Sequence, residues 1–266
     1  MPYLNINGCK IYYEDTGEGE ETLVLSHGLL WSGEMFEKQV EHFRSGYRVI
    51  TFDHRGQGRS ESTPSGYDMD QIYSDAVGLL EALILTNVHF GGLSMGGFVA
   101  MRLGARRPDL VKSLILMETS AQPEPNTLKY SLLNTIVRLF GVKSVTAPVM
   151  NIMFGEPFLN DPHRREEREK WKRKLQENKK TITRAVGGVI RRKSVVNELE
   201  QIKCPVLILA GEMDKATTVE KAQFIHSNIR HSELVVIPRA GHTACVEEPE
   251  AYNLAIENFL KNLVQQ

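Results

Sequence analysis

The sequence is poor in cysteine, with three among its 266 residues. Cys9, Cys204 and Cys245 are far apart and odd in number, so they match neither a zinc site nor a redox pair. This scarcity excludes a disulfide-stabilised scaffold, and we expect a reducing compartment, the cytoplasm. Because no metal-ligand spacing is present either, we expect no metal and no cofactor.

Long hydrophobic runs and an excess of one charge are also missing. No apolar run approaches the ~18 residues that span a bilayer, and the first residues lack the charged and then apolar pattern of a signal peptide. The 32 lysine and arginine residues nearly balance 33 aspartate and glutamate residues, for a formal net charge of −1. We therefore expect neither a membrane nor a nucleic acid as a partner.

Apolar segments of strand length alternate with helical patterns along most of the chain. Residues 2–14 are predicted to form an antiparallel hairpin around the Asn7-Gly8 turn. The alternation that follows is typical of an α/β fold, a mainly parallel sheet with helices on both faces. We predict strands at 22–26, 47–52, 88–90, 111–117, 205–210 and 233–237, and helices from the N-cap Asp68, from 95 to about 107, at 218–228 and at 249–264.

Residues 120–198 interrupt this alternation, because they have helical patterns only. We predict that residues 1–119 and 199–266 form the α/β core and that residues 120–198 form a helical cap inserted between two of its strands. A basic run at 164–174 lies in this insertion. We interpret it as a solvated helix face with ion pairs one turn apart, in preference to a patch that binds an anion or a partner.

The segment Gly92–Gly96 matches the pattern G-x-S-x-G. On its own the pattern is weak evidence, since glycine and serine are common residues. Here it follows a predicted strand and begins a predicted helix, which is the setting that a nucleophilic serine requires. A tight turn would project the Ser94 hydroxyl above the sheet, and the flanking glycines would keep the strand and the helix from clashing. We predict Ser94 as a nucleophile rather than a purely structural turn residue.

A serine nucleophile needs a general base. The chain has eight histidines, and His242 follows the last predicted strand. It would lie at the same carboxyl edge of the sheet as Ser94, where ligands bind in open α/β sheets. His27 also ends a strand, but it precedes a glycine in a loop expected to hold an oxyanion. We predict His242 as the base.

The imidazole of this base needs an acid that orients it. Asp214 follows a predicted strand at the same edge, and the chain order Ser94, Asp214, His242 is the one expected for this architecture. Glu118, at the end of another strand, and Glu212 remain alternatives. We predict Asp214 as the acid.

Acyl transfer also needs N–H donors directed at the oxyanion that develops on the substrate. The residue after the nucleophile, Met95, supplies one of them in this kind of turn. The second would come from the loop after strand 22–26, where Gly28 permits the backbone to turn the Leu29 N–H inward. We predict Leu29 and Met95 as the oxyanion-hole donors.

Together these motifs resemble the α/β-hydrolase superfamily over essentially the whole chain. The matching pieces, in family order, are His27-Gly28, 53–60 (DHRGQGRS), 91–97 (GGLSMGG), 211–214 (GEMD) and Gly241-His242. The resemblance implies an eight-stranded sheet, a Ser-Asp-His triad and a lid over the pocket. It also implies that the segment 53–60 is structural and that Arg55 supports the site. The serine at 94 argues against haloalkane dehalogenases and epoxide hydrolases, which use an aspartate there.

Within the superfamily the chain is most similar to 3-oxoadipate enol-lactonases and to esterase-like, cofactor-free haloperoxidases, on the segments 92–97 and 118–121. The resemblance implies an esterase or lactonase with a small-molecule substrate. A carbon–carbon bond hydrolase with the same triad and a small-molecule receptor on the same scaffold remain alternatives. One departure is the segment 214–218 (DKATT), where many relatives have proline-rich sequence.

Apolar residues beside the predicted oxyanion loop and on the insertion indicate where a substrate would be held. Such a wall suits small to medium hydrophobic esters. If the substrate carries a carboxylate, an arginine of the insertion such as Arg138 or Arg184 has to point inward. The predicted pocket residues are Trp31, Leu30, Leu133 and Val137.

Overall fold

This computed structural model describes residues 2–264. Eight strands of that part of the chain form one sheet. They are β1 (Tyr3–Ile6), β2 (Cys9–Asp15), β3 (Glu21–Ser26), β4 (Tyr47–Phe52), β5 (Val88–Leu93), β6 (Val111–Met117), β7 (Val206–Gly211) and β8 (Ser232–Ile237). Their order across the sheet is β1-β2-β4-β3-β5-β6-β7-β8. β1 and β2 form the predicted hairpin, β2 pairs antiparallel with β4, and all other neighbours are parallel.

Helices cover both faces of the sheet, as predicted for an α/β fold. The side chain of Asp68 accepts a hydrogen bond from the Gln71 N–H at 3.0 Å and so caps α2 in the predicted way. Among the described residues, no helix combines the length and the apolar character needed to cross a bilayer. The α helices are α1 (Glu37–Phe43), α2 (Met69–Ala82), α3 (Met95–Arg106), α4 (Thr127–Phe140), α5 (Thr146–Met153), α6 (Glu156–Asn160), α7 (Arg165–Gln176), α8 (Ile182–Ile190), α9 (Val219–Asn228), α10 (Ala244–Glu247) and α11 (Pro249–Val264).

Successive side chains of the central strands pack into two different apolar clusters, because they point to opposite faces of the sheet. In β3, Val24 belongs to the cluster that contains side chains of α2, α3 and α9. Its neighbours Leu23 and Leu25 belong to the cluster that contains side chains of α1 and α11. This second cluster also includes Phe154 and Trp171, so residues 120–198 share their core with one face of the sheet.

β5 is longer than predicted, since it continues past Phe90 to Leu93. The prediction ended the strand before Gly91 and Gly92, because glycine is a poor strand former. In the structure both glycines pair with β3 on one side and with β6 on the other. This two-sided pairing outweighs the local preference and carries the strand directly to Ser94.

The sheet has a switch point between β3 and β5. The chain continues from β3 to β4, which pairs with β3 on one side. It then returns past β3 to form β5, which pairs with β3 on the other side. Ligands of open α/β sheets bind in the crevice that such a reversal leaves at the carboxyl ends of the strands. The segment between β6 and β7, which we call the helical insertion (residues 120–198), contains α4 to α8 and adds no strand to the described sheet.

Candidate active site

Ser94 lies in the turn from β5 to α3 with φ 53° and ψ −105°. A positive φ is unfavourable for a residue with a Cβ, and such strain of about 1–3 kcal/mol persists only where the surroundings enforce it. The Ser94 N–H donates to the Met117 carbonyl oxygen at 2.8 Å. The Ser94 carbonyl oxygen accepts from the Thr119 hydroxyl, also at 2.8 Å. The backbone is therefore held on both sides by β6 and the residues that follow it.

Two glycines make this turn possible, since neither has room for a side chain. A Cβ on Gly92 would lie 2.1 Å from the Gly96 carbonyl oxygen. A Cβ on Gly96 would lie 2.1 Å from the carbonyl oxygen of Ser26, at the end of β3. The outer positions of the G-x-S-x-G pattern are thus fixed by backbone packing rather than by chemistry at the serine.

The structure brings Ser94, His242 and Asp214 together in one hydrogen-bonded line. The His242 Nε2 lies 2.9 Å from the Ser94 Oγ. The His242 Nδ1 lies 2.7 Å from the Asp214 Oδ2. Only 4% of the histidine side chain and 0% of the aspartate side chain are exposed. The Nδ1–H of the imidazole donates to the carboxylate, which leaves Nε2 free to accept a proton from the hydroxyl.

Thr217 is a fourth residue of this cluster that sequence reasoning missed. Its hydroxyl donates to the Asp214 Oδ2 at 2.7 Å and lies 3.1 Å from the His242 Nδ1. The other carboxylate oxygen accepts from the N–H groups of Ala216 and Thr217, at 2.7 and 2.9 Å. The segment after Asp214 therefore wraps around its carboxylate. The only sequence signal was the spacing of an acid and a threonine three residues apart.

The two alternative acids make other contacts. Glu118 is fully buried, and its Oε2 accepts from the Tyr252 hydroxyl at 3.0 Å. Burial raises the pKa of Glu118 well above its ordinary value, and the charge of Asp214 adds to this effect. Glu212 accepts from the Arg239 N–H at 3.0 Å. Within residues 2–264, neither carboxylate forms a hydrogen bond with the histidine.

Glu247 holds the loop that carries His242. Its Oε1 accepts from the N–H groups of Gly241 and Thr243, the two neighbours of the histidine, at 3.0 and 3.2 Å. Its Oε2 accepts from the N–H of Gly155, between α5 and α6, at 2.7 Å. Burial raises the pKa of Glu247. Nothing in the sequence singled this residue out, because all of these contacts depend on the fold.

The loop after β3 passes directly beside Ser94. A Cβ on Gly28 would lie 3.5 Å from the Ser94 Cβ. The Trp31 N–H donates to the Gly28 carbonyl oxygen at 3.3 Å, which closes a four-residue turn. The Leu29 N–H forms no hydrogen bond within residues 2–264. Met95 is the first residue of α3, so its N–H has no partner inside the helix.

Two side-chain amides hold Leu30, whose φ of 76° is also in the left-handed region. The Gln57 Oε1 accepts from the Leu30 N–H at 2.8 Å, and the Gln57 Nε2 lies 3.6 Å from the Met95 Sδ. The Asn178 Nδ2, from the helical insertion, donates to the Leu30 carbonyl oxygen at 2.8 Å. The loop next to Ser94 is thus fixed by the core on one side and by the insertion on the other.

His27 is a structural residue of this loop. Its Nδ1–H donates to the Gly28 carbonyl oxygen at 2.7 Å, and its Nε2 accepts from the His54 N–H at 2.9 Å. Burial lowers the pKa of His27, so the imidazole is neutral and keeps this tautomer. These bonds occupy both ring nitrogens, in agreement with the expectation that His27 is not the base.

The predicted pocket residues lie in or against one apolar cluster. Trp31 is buried, with its ring edge-on to Phe154 at 6.0 Å and to Trp171 at 5.5 Å between centroids. Val137 is buried in the same cluster. Leu30 and Leu133 are partly buried against it. The cluster contains residues of both the helical insertion and the sheet, among them Leu93 and Leu209 near the carboxyl ends of their strands.

The two arginines considered for a substrate carboxylate lie elsewhere. Arg138 and Arg184 line a cleft between α4 and α8. Ser94 is not among the residues that line this cleft. The Arg184 guanidinium donates to the Thr63 carbonyl oxygen at 2.7 Å. Neither arginine is therefore directed at Ser94, so neither supplies the cation that a substrate carboxylate would require.

Comparisons with known proteins agree with this architecture. The family model described as alpha/beta hydrolase fold matches residues 21–249. The chain is similar to 3-oxoadipate enol-lactonase 2 of Acinetobacter baylyi, with 31% identity over 97% of this chain and 96% of the relative. It is similar in structure to a thermophilic esterase from Thermogutta terrifontis, with 27% identity, a TM-score of 0.90 and 98% of each chain covered. The enol-lactonase of Burkholderia xenovorans LB400 shares the fold, with a TM-score of 0.91 at 24% identity over 98% of this chain and 100% of that one. The chain therefore belongs to the alpha/beta hydrolase fold family.

Proposed function

We propose that this chain is a serine hydrolase that cleaves carboxylic esters or lactones of small to medium size. The observation that carries the proposal is the line from the Ser94 hydroxyl through the His242 imidazole to the Asp214 carboxylate, with separations of 2.9 and 2.7 Å. Such a line is the arrangement that activates a serine hydroxyl. The similarity to an enol-lactonase and to an esterase supports the same class of substrate.

The reaction has two steps. In the first, the Ser94 Oγ attacks the carbonyl carbon while the His242 Nε2 takes its proton, and the carbonyl electron pair moves onto the oxygen. The tetrahedral intermediate then expels the alcohol, which receives that proton, and an acyl-enzyme remains. In the second, a water attacks the acyl carbon while His242 takes its proton and returns it to Ser94. With a lactone, the alcohol stays attached to the acyl group.

Asp214 holds the imidazole in the tautomer that accepts at Nε2 and stabilises the imidazolium that forms. Thr217 assists by donating to the same carboxylate oxygen, so that this oxygen has two fixed donors. We also assign the Leu29 and Met95 N–H groups to the oxyanion. The support for this assignment is that the loop after β3 lies against Ser94 and that neither N–H has a partner in a helix or turn.

We propose that the helical insertion serves as a cap, with the α/β core formed by residues 1–119 and 199–266. Trp31, Leu30, Leu133 and Val137 would then contribute an apolar wall to the substrate site. The position of Arg138 and Arg184 in an outer cleft favours an uncharged substrate over one that carries a carboxylate.

A panel of p-nitrophenyl esters and lactones, run on the wild type and on Ser94→Ala, tests the proposal. We expect turnover by the wild type and none above background by the variant, with an unchanged thermal unfolding curve. Ser227→Ala, at an exposed position of α9, is the matched control and should retain full activity. Labelling by a fluorophosphonate provides a second readout. A receptor on this scaffold would not label, and undiminished turnover by Ser94→Ala would refute the nucleophile.

A further inference from the structure

Four of the seven cations in the basic run at 164–174 form ion pairs, and two of these pairs lie within the run itself. Arg164 pairs with Glu167 at 2.8 Å and Lys172 with Glu169 at 3.2 Å, each three residues apart. Lys174 pairs with Glu34 at 2.7 Å, across the boundary between the insertion and the core. Among residues 2–264, Arg165, Arg168 and Arg173 of the run have no carboxylate partner, and a second group of such cations lies elsewhere in the helical insertion.

Four cationic side chains line a cleft of about 510 Å³ between α4 and α8: Arg138, Lys180, Arg184 and Arg191. The remaining lining residues are uncharged. Among residues 2–264, no carboxylate forms an ion pair with any of the four. Lys180 and Arg184 each donate to a backbone carbonyl oxygen at 2.7 Å, which orders their side chains without neutralising them. The cleft therefore presents an uncompensated positive charge.

Next to this cleft, α4 exposes a stripe of large apolar side chains. Leu128, Leu132 and Leu139 are spaced four and seven residues apart, so they share one face of the helix. Their exposed fractions are 88%, 63% and 57%, and that of Phe140, at the helix end, is 72%. Val137 is the buried residue of the opposite face. Soluble proteins rarely expose such a contiguous set without a binding role.

Charge and apolar surface are arranged together on α4. An α-helix turns by about 100° per residue. This rotation places Arg138 on one flank of the leucine stripe and Lys129 on the other. Residues 125–155 contain three lysines and arginines but no aspartate or glutamate. This is the pattern of a helix that lies in the plane of a membrane interface, with cations beside an apolar face.

We propose that α4 and the adjacent cationic cleft form a docking surface for an anionic lipid surface. The leucine stripe and Phe140 enter the boundary between headgroups and acyl chains, and the cleft receives anionic headgroup oxygens. A second copy of the chain fits this surface poorly, because a symmetric contact would bring cations against cations. The proposal goes beyond ester cleavage and does not depend on it. The overall composition predicts no membrane partner, because a net charge of −1 gives no indication of a local basic surface. The proposal departs from that prediction.

Vesicle co-sedimentation of the full chain tests the proposal. We expect binding to vesicles of phosphatidylcholine mixed with phosphatidylglycerol, weak or no binding to phosphatidylcholine alone, and release by salt at about 0.5 M. Leu132→Ser/Leu139→Ser should lower the affinity about tenfold or more by removing apolar insertion. Arg138→Gln/Arg191→Gln should lower it to a similar degree and remove the preference for anionic vesicles.

Matched controls change the same residue types outside this surface. Leu254→Ser, at an exposed site on α11, and Lys203→Gln/Arg230→Gln should bind vesicles as the wild type does. All variants should keep wild-type thermal unfolding and turnover of a water-soluble ester. Three results would overturn the proposal: equal loss in the control variants, binding that ignores lipid charge, or a dimer in light scattering that Leu132→Ser/Leu139→Ser abolishes. Calorimetric binding of inorganic phosphate without vesicle binding would likewise assign the cleft to a free anion.

Discussion

The Nδ2 amide of Asn178 donates a 2.8 Å hydrogen bond to the carbonyl oxygen of Leu30, so the helical insertion is connected to the loop beside Ser94. Leu30 is in the left-handed region, where a leucine needs external support. The loop also carries Leu29, the proposed oxyanion donor. The geometry of the proposed oxyanion hole therefore depends on a residue of the insertion.

Asn178→Ala should lower kcat about 3- to 10-fold, with little change in KM, because a hydrogen bond of about 1 kcal/mol is lost from the loop rather than from the substrate. Steady-state kinetics with a p-nitrophenyl ester measures both constants. Asn134→Ala is the matched control, since its amide donates to the Thr183 carbonyl oxygen within the insertion. Equal losses of kcat in both variants, or an effect on KM alone, would contradict the positioning role.

Asp214→Asn should lower kcat by about 10⁴, because an amide no longer holds the imidazole in the required tautomer. Thr217→Val should lower it about tenfold, since one donor to the Asp214 carboxylate is lost. Glu118→Gln serves as the comparison and should stay close to the wild type, because Glu118 contacts Tyr252 instead of the histidine. A large loss in Glu118→Gln with a small one in Asp214→Asn would move the acid to position 118.

As the pH rises from about 5 to 8, the contribution of Glu118 to the stability of the protein should become less favourable. Burial holds the pKa of this carboxyl well above its ordinary value of 4.5, so the folded state keeps a proton that the unfolded chain releases. Above the ordinary value, folding therefore becomes less favourable by up to about 1.4 kcal/mol per pH unit, until the pH passes the raised pKa. Below the ordinary value the effect disappears.

Urea unfolding of the wild type and of Glu118→Gln over this pH range measures the contribution. The variant lacks a titrating group at this position, so the stability of the wild type relative to the variant should fall as the pH rises. The pKa of Glu247 is raised as well. This residue is present in both the wild type and the variant, so its effect on stability is the same in both. Parallel stability curves would show that Glu118 does not bind the extra proton in the folded state.

Gly92→Ala should lower the free energy of unfolding by about 3 kcal/mol or prevent folding, because its Cβ would lie 2.1 Å from the Gly96 carbonyl oxygen. Gly46→Ala is the control, since a Cβ there meets no atom within 4 Å. The control should change the stability by less than about 0.5 kcal/mol. Denaturant unfolding followed by circular dichroism compares the two, and a mild effect at position 92 would show that β5 and α3 can separate.

The strands and the three residues Ser94, Asp214 and His242 could be predicted from the sequence because their signals are local. Each of the three follows an apolar run of strand length, and the carboxyl ends of parallel strands meet at one edge. The added length of β5 could not be predicted, because the pairing of Gly91 and Gly92 depends on strands distant in sequence.

Supporting residues were missed for the same reason. Asn178 lies in a polar connection between α7 and α8 that has no distinguishing pattern. Glu247 is one of two consecutive glutamates, and only the fold buries its carboxylate against three backbone N–H groups. Pairing within the basic run was predicted for residues one turn apart, whereas the Lys174–Glu34 pair joins segments that only folding brings together.

The Glu247 carboxylate limits how this protein can be engineered. It binds the N–H of Gly155 in the insertion and the backbone on both sides of His242. A Cβ on Gly155 would lie 3.0 Å from the Gly241 nitrogen. An insertion grafted from another family member must therefore bring a glycine and a free N–H to this junction, or the graft will displace the histidine from its position beside Ser94.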